Sequence, residues 1–173
     1  MEEIEIERTF LIKTLPQKLE TFPHKILFDI YIPSTNRHPS LRLRQKGESY
    51  EMTKKIWLDE NDHSEQKELT IPLTQEEFAE LSTIAGKKVK KMRYLYPYKG
   101  LTAEIDVFQD ALEGLVVVDF EFKSSAEKNV FEIPAWCLAD VTQEEFLAGG
   151  MLAGKSYKDI EKLLSKFGYK KLK

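Results

Sequence analysis

The chain has 173 residues with one cysteine, and its 26 basic and 29 acidic side chains leave a formal charge of −3. That length fits about one domain with a core that needs no disulfide, so a single domain over residues 1–173 is expected. The near-neutral balance gives no global pull toward nucleic acid or an anionic membrane surface, and no apolar run approaches the ~20 residues that a bilayer span needs.

Cys137 sits in the apolar stretch AWCLA, which predicts a buried thiol in a reducing compartment. The acidic, alternating start MEEIEIERTF has the character of neither a signal nor a transit peptide. A cytoplasmic protein with no nucleic-acid and no membrane partner is the expectation.

Period-two alternation, the mark of strands, runs through most of the chain. It predicts strands over Glu3–Ile12, Lys25–Ile32, Ser40–Gln45, Ser49–Ile56, Ser64–Leu73, Val89–Leu95, Leu101–Phe108 and Leu115–Lys123. The third and fourth are joined by KGE, a short hairpin connection containing Gly47. Thr74 with Glu77 forms a capping-box pattern opening a helix over Gln75–Thr83. Thr142 with Glu145 repeats it before Phe146–Met151, and Ser156 caps Tyr157–Phe167, stopped by Gly168. Lys170, Lys171 and Lys173 read as a solvated tail. There is no repeat, low-complexity segment or linker that divides the chain.

The informative feature is what alternates with the apolar residues. Glu3, Glu5 and Glu7 share one face of the first strand; Arg42 and Arg44 share a face, as do Lys91 and Arg93, Glu104 and Asp106, and Asp119 and Glu121. Lys55 and Glu68 complete the set on strands of their own. A solvated face with cross-strand ion pairs, each worth about a few tenths of a kcal/mol, would account for alternation alone. Two details argue for more: the signs are segregated strand by strand, and VVVDFEF is very apolar around its two acids. Clustered carboxylates suit hard divalent cations such as Mg²⁺ or Mn²⁺, and clustered Arg and Lys suit phosphate or carboxylate. Together they describe a metal–polyphosphate site.

Other residues carry less. His24, His38 and His63 lie near turns without ligand spacing and read as surface histidines. Trp57 could stack on a ligand ring but reads more simply as a rim aromatic. Gly149–Gly150 lacks the context of a phosphate-cradling loop, and no Ser/His/Asp or Cys/His arrangement is present.

Six blocks in order, EIERTFL (Glu5–Leu11), LRLR (Leu41–Arg44), MTKK (Met52–Lys55), KKMRY (Lys90–Tyr94), AEIDVF (Ala103–Phe108) and VVDFEF (Val117–Phe122), resemble those of the CYTH proteins, or triphosphate tunnel metalloenzymes. The resemblance runs from Glu3 to about Leu152. It implies an α+β fold: an eight-stranded antiparallel β-barrel, the triphosphate tunnel, with flanking helices and a charged interior. It implies metal-dependent hydrolysis of a small-molecule triphosphate, foremost inorganic tripolyphosphate with activity on nucleoside triphosphates. The alternatives are thiamine triphosphatase, adenylyl cyclase, or a non-catalytic polyphosphate- or nucleotide-binding module.

By position, the resemblance makes Glu5, Glu7 and Glu121 ligands of Mg²⁺ or Mn²⁺, with Glu104, Asp106 and Asp119 on the same acidic wall serving a second metal or water. Arg42, Arg44, Lys55, Lys91 and Arg93 become the phosphate-gripping bases, and Glu68 matches an acidic position on the fifth strand. Glu7, Lys91 and Arg93 are the expected catalytic groups. A homodimer is compatible with this reading. Where the family has a signature lysine this chain has Thr9, and where it often shows R-x-E-x-E this chain has Ser64, Gln66 and Glu68. Near the C-terminus, where relatives often carry a basic or amide residue, it has LAGG, Leu147–Gly150. These departures predict weaker substrate binding and a weaker second metal.

Overall fold

The computed structural model describes residues 2–59 and 61–172, the side chain of Glu2 excepted; Lys173 of the expected lysine tail lies outside the described residues. The described residues form nine strands: β1 (Glu2–Ile12), β2 (His24–Ile32), β3 (Leu41–Lys46), β4 (Ser49–Asp59), β5 (Asp62–Leu73), β6 (Lys87–Tyr98), β7 (Leu101–Phe108), β8 (Val116–Phe122) and β9 (Cys137–Asp140). Every pairing is antiparallel. The order β5-β4-β3-β2-β6-β7-β8-β1 closes through a β5–β1 pairing into an eight-stranded barrel, with β9 added outside on β1. The barrel closes where Glu2–Ile6 of β1 pair with Leu69–Glu65 of β5. Farther along β1, where β5 has departed, Phe10–Ile12 pair with β9 instead.

Closure explains the charge pattern. A barrel has two faces, and here the polar parity of each strand points inward. The apolar parity points outward, where two stretches of it are covered while Ile4, Ile26, Ile56 and Ile71 stay exposed. Phe10, Ile12, Ala103, Ile105, Val116, Val118, Phe120 and Phe122 form an external core with Leu19 and Cys137, closed over by Phe131 and Trp136. Cys137 is therefore the buried thiol expected, and burial pushes its pKa up to about 12. On the opposite wall Ile30 and Leu43 pack under Phe78 of α1 (Gln75–Leu81). Each large apolar side chain so buried contributes about 1.5–3 kcal/mol, so the stability that a filled barrel would draw from its interior comes here from its exterior.

The capping box of α1 forms as the sequence predicts: Glu77 N–H donates to Thr74 Oγ1 at 3.1 Å and Thr74 N–H to Glu77 Oε2 at 2.8 Å. Gly47 occupies the β3–β4 turn with φ +61°, a left-handed conformation cheap only for glycine. Strand β9 and helix α2 (Ser125–Asn129), capped by Ser124, escaped the sequence reading, as did the 3₁₀ turns Leu19–Thr21 and Asp110–Leu112.

One expected helix is wrong. Residues 146–151 do not form one helix but a 3₁₀ turn, Glu145–Leu147, then α3 (Gly149–Leu152), separated by Ala148 at ψ 140°. Thr142 does not cap it: its hydroxyl donates to Asp140 at 2.5 Å and accepts from Thr9 N–H at 3.1 Å. α4 (Tyr157–Ser165) follows, with its capping box completed by Asp159. The lysine tail is less free than expected, because Lys171 lies over the Tyr157 ring at 4.3 Å and Leu172 N–H bonds to Gly114 O.

These C-terminal elements pack across one end of the barrel. Val141, Leu147, Leu152, Ile160 and Leu164 join Leu11, Tyr31, Phe108 and Val117 in a second core. Gly149 and Gly150 make this seam possible: a Cβ on Gly149 would lie 2.0 Å from the Tyr31 hydroxyl, and one on Gly150 would lie 2.3 Å from the Pro39 carbonyl oxygen. Gly150→Ala is therefore expected to cost about 1–3 kcal/mol as an overpacking change against backbone, read as a lowered midpoint in thermal unfolding; an unchanged midpoint would show the seam to be loose.

Candidate active site

The lumen is a cavity of about 1150 Å³. It brings together every site residue expected from the sequence: Glu5, Glu7, Arg42, Arg44, Lys55, Glu68, Lys91, Arg93, Glu104, Asp106, Asp119 and Glu121 all line it. Strand register places them. Glu7 stands opposite Glu121 and Thr9 opposite Asp119; Glu104 faces Asp119 across β7–β8, and Arg93 faces Asp106 across β6–β7.

The basic groups differ in how tightly they are held. Arg93 donates through Nε and Nη2 to Asp106 at 2.7 and 2.6 Å, through Nη1 to Glu104, and approaches Asp119 at 3.5 Å. Lys91 donates to the same Asp106, which is wholly buried. Burial alone would raise the Asp106 pKa, but the Arg93 and Lys91 charges overcome it and hold the carboxyl at about 2. For Lys91 burial wins over Asp106 and lowers its pKa. Lys55 donates to Glu5 and stands 3.2 Å from Glu68. Arg42 is the least satisfied: its Nε is buried without a partner and its Nη2 is 3.9 Å from Glu51.

The acidic groups divide in the same way. Glu5, Glu104 and Asp106 are engaged by cations. Glu7 receives a neutral donor, Gln66 Nε2, at 2.7 Å, and Asp119 receives the Thr9 hydroxyl at 2.7 Å. Burial, with Glu5, Asp119 and Glu121 adding and Lys55 opposing, raises the Glu7 pKa to about 8. Burial raises Asp119 against the pull of Arg93. Glu121, more open to water, is raised to about 7 by desolvation and by Glu104 and Glu5.

Among the described residues no three carboxylates, histidines or cysteines stand in ion-holding geometry, because several acids are turned toward Lys55 and Arg93. The raised pKa values nevertheless mark Glu7, Asp119 and Glu121 as short of positive charge. An all-oxygen donor set in that condition fits a hard divalent cation.

The sequence reading missed Asp29, which takes both Nε and Nη2 of Arg44 at 2.7 Å in a buried pair. Its only signal was a lone acid in the apolar run KILFDIYI, a position that burial forbids without a cation. Two of the three histidines, half-buried rather than fully exposed, gather on Trp57. His63 stacks on Trp57 with centroids 4.0 Å apart, His38 meets the same indole edge-on at 5.1 Å, and His38 Nδ1 lies 3.2 Å from Glu145. Segments far apart in sequence make this cluster, so no local spacing announces it. His24 is exposed, as expected.

A second, polar cleft of about 430 Å³ lies beside β1, β5 and β9. Its cations are already paired, Arg8 with Asp140 and Lys128 with Ser64 and Glu65. No helix of the described residues is long and apolar enough to cross a membrane.

The CYTH domain family model matches residues 3–143. An inorganic triphosphatase of Nitrosomonas europaea is 36% identical over 144 residues, covering 82% of this chain and 91% of its own length. One from Acetivibrio thermocellus is 32% identical over 73 residues, covering 42% of this chain and 46% of its own length. A solved inorganic triphosphatase structure superposes with a TM-score of 0.63 at 31% identity, covering 87% of this chain and 95% of that one. With the closed barrel and its charged lumen, these matches place the chain in the CYTH domain family.

Proposed function

We propose that this chain is a divalent-metal-dependent triphosphatase whose preferred substrate is inorganic tripolyphosphate. The observation that carries the reading is the lumen itself: one closed barrel sets Arg42, Arg44, Lys91 and Arg93 in the same cavity as an undercompensated wall of Glu7, Asp119 and Glu121. Inorganic triphosphatases among its relatives support the substrate.

Glu5, Glu7 and Glu121, with Asp119 beside them, are the oxygen ligands that would hold Mg²⁺ or Mn²⁺. When bound, such an ion neutralises phosphate charge and lowers the pKa of a water molecule. Arg42, which lines the cavity without a close carboxylate partner, takes phosphate oxygen directly. Lys91 and Arg93 stabilise charge on the leaving phosphate, the main protein contribution to phosphoryl transfer. The sequence reading places Glu104 and Asp106 with the metal, but their engagement by Arg93 and Lys91 favours a role in aiming those two bases. Glu68, which accepts from Thr70 at 2.8 Å, aims Lys55 in the same way.

An organic triphosphate requires an aromatic platform for its ring. Trp57 is the tryptophan lining the cavity, and the stacked His63 occupies one face of it. Side-by-side phosphate release from tripolyphosphate, ATP and thiamine triphosphate with Mg²⁺ or Mn²⁺ tests the preference. A kcat/KM at least about a hundredfold higher for tripolyphosphate is expected, equivalent to ~2.7 kcal/mol of transition-state discrimination. Equal values for ATP would move the assignment to a nucleoside triphosphatase, and binding of all three without turnover would make the chain a polyphosphate-binding module.

A further inference from the structure

Asp29 lies at the centre of the basic wall, yet it does not line the cavity. It is 1% exposed and Arg44 is 6% exposed, and the pair is bidentate, with Nε bonded to Oδ1 and Nη2 to Oδ2, both at 2.7 Å. Register fixes the arrangement, since Asp29 and Arg44 are direct cross-strand partners of β2 and β3. A fork held at two nitrogens cannot swing. The nitrogen left for the cavity is Nη1. Arg42, next along the same face of β3, has no bidentate carboxylate: it bonds to the hydroxyl of Tyr31, its cross-strand partner, and stands 3.9 Å from Glu51.

A buried carboxylate in a wall that must attract phosphate carries a cost, because its charge offsets one arginine. For stability alone an apolar pair would serve as well. What the carboxylate adds is a fixed direction. Preorganised charge favours the transition state specifically, whereas a mobile guanidinium adapts equally well to the ground state.

We infer that Asp29 is a positioning residue for phosphate chemistry, which holds Arg44 rigid so that Arg42 captures substrate while Arg44 stabilises charge that develops during reaction. The inference rests on the triphosphatase reading above.

Steady-state kinetics on tripolyphosphate with Mg²⁺ test it, using Asp29→Asn, Asp29→Glu, Arg44→Lys and Asp29→Asn/Arg44→Lys, each corrected for folded protein by thermal melting. Asp29→Asn is expected to lower kcat by about tenfold or more while KM stays level or falls, since the wall gains net positive charge. The double variant should be no slower than the slower single variant, because both changes remove one aimed guanidinium. Asp29→Glu keeps the charge but displaces the fork, so it should lose part of kcat even where Asp29→Asn folds poorly. Unchanged kcat in folded Asp29→Asn or Asp29→Glu, with only a lower melting point, would overturn the inference and leave the triphosphatase assignment standing. Multiplicative losses in the double variant would also overturn it. Inactive wild-type protein would overturn both.

Discussion

Glu7→Gln is expected to lower kcat on tripolyphosphate by at least about a hundredfold, the scale of losing a ligand to a catalytic metal, while making the metal-free protein more stable at pH 8. The two effects have one cause. Glu7 is a carboxylate packed among Glu5, Asp119 and Glu121, and its pKa in the folded state is raised from 4.5 to about 8. The folded protein therefore keeps a proton that the unfolded chain has released throughout that window. Stability falls as pH rises from about 4.5 and is lowest above about 8. Glutamine has no such penalty.

The melting points of wild type and variant should converge near pH 5 and separate by pH 8, with the variant higher by ~2–4 °C, the shift of about 1 kcal/mol in a domain of this size. Added Mg²⁺ or Mn²⁺ should raise wild type at pH 8 and leave Glu7→Gln almost unmoved. A variant less stable at every pH would mean that Lys55 and Gln66 already satisfy the carboxylate.

Asp106→Asn is expected to be the most destabilising change in the lumen. It removes the negative charge that Lys91 and Arg93 share and replaces one of the two acceptor oxygens with an NH2 donor, in a fully buried position. Breaking a buried pair costs about 3–5 kcal/mol, which in a domain of this size lowers the melting point by roughly 10 °C. The kcat of the folded fraction should also fall if Lys91 and Arg93 act on the leaving phosphate as proposed, since both lose their aim.

The pH signature is opposite to that of Glu7. Asp106 is held at about 2, below its ordinary 3.8, so its stabilisation is complete above about pH 4 and is lost as pH falls through about 2. Acid melts of wild type should steepen in that range, and those of Asp106→Asn should not. Equal melting points at pH 7 would show that the cations rearrange to other acceptors, Glu104 and Asp119 being the nearest.

The contrast between these two acids explains how much of the molecule could be read in advance. The eight barrel strands were legible because alternation survives in a closed barrel, whichever face is wet. Leu41, Leu43, Arg42 and Arg44 announce both a strand and two chemically distinct sides. Parity therefore gathered all the lumen candidates before any geometry was known.

What parity could not say is which acid faces which base. Glu104, Asp106 and Asp119 look equivalent along β7 and β8, yet Arg93 and Lys91 hold the first two closely, while the third has its shortest bond from Thr9 and only a 3.5 Å approach of Arg93. Asp29 was hidden because an apolar run conceals a single charge whose partner lies on another strand. The helix expected after Thr142 failed because the Thr142 hydroxyl is taken by its neighbour Asp140 and by Thr9 of β1, and because Ala148 is extended between the 3₁₀ turn and α3. Strand β9 is short and pairs only where β5 has left β1, so its existence depends on the barrel's closure.

The fold thus separates two tasks that most small domains combine. Apolar side chains on the outside of the barrel supply the stability, and the interior is free to hold charges that work against it. Thr9 and Gln66 sharpen that conflict, since both meet an acid with a neutral donor. Thr9→Lys should place a cation beside Asp119, lower its acidity shift and reduce the affinity for Mn²⁺ measured by calorimetry without substrate; unchanged affinity would remove Asp119 from the ion's surroundings.

The central claim is metal-dependent hydrolysis within this lumen. Its most direct test is the initial rate of phosphate release from tripolyphosphate by wild-type protein as free Mg²⁺ or Mn²⁺ is raised from a chelated zero, with Glu7→Gln run beside it. A rate that rises saturably with metal, vanishes with chelator and is absent from the variant is the predicted result. Release that persists in chelator, or that survives in Glu7→Gln, would contradict the account.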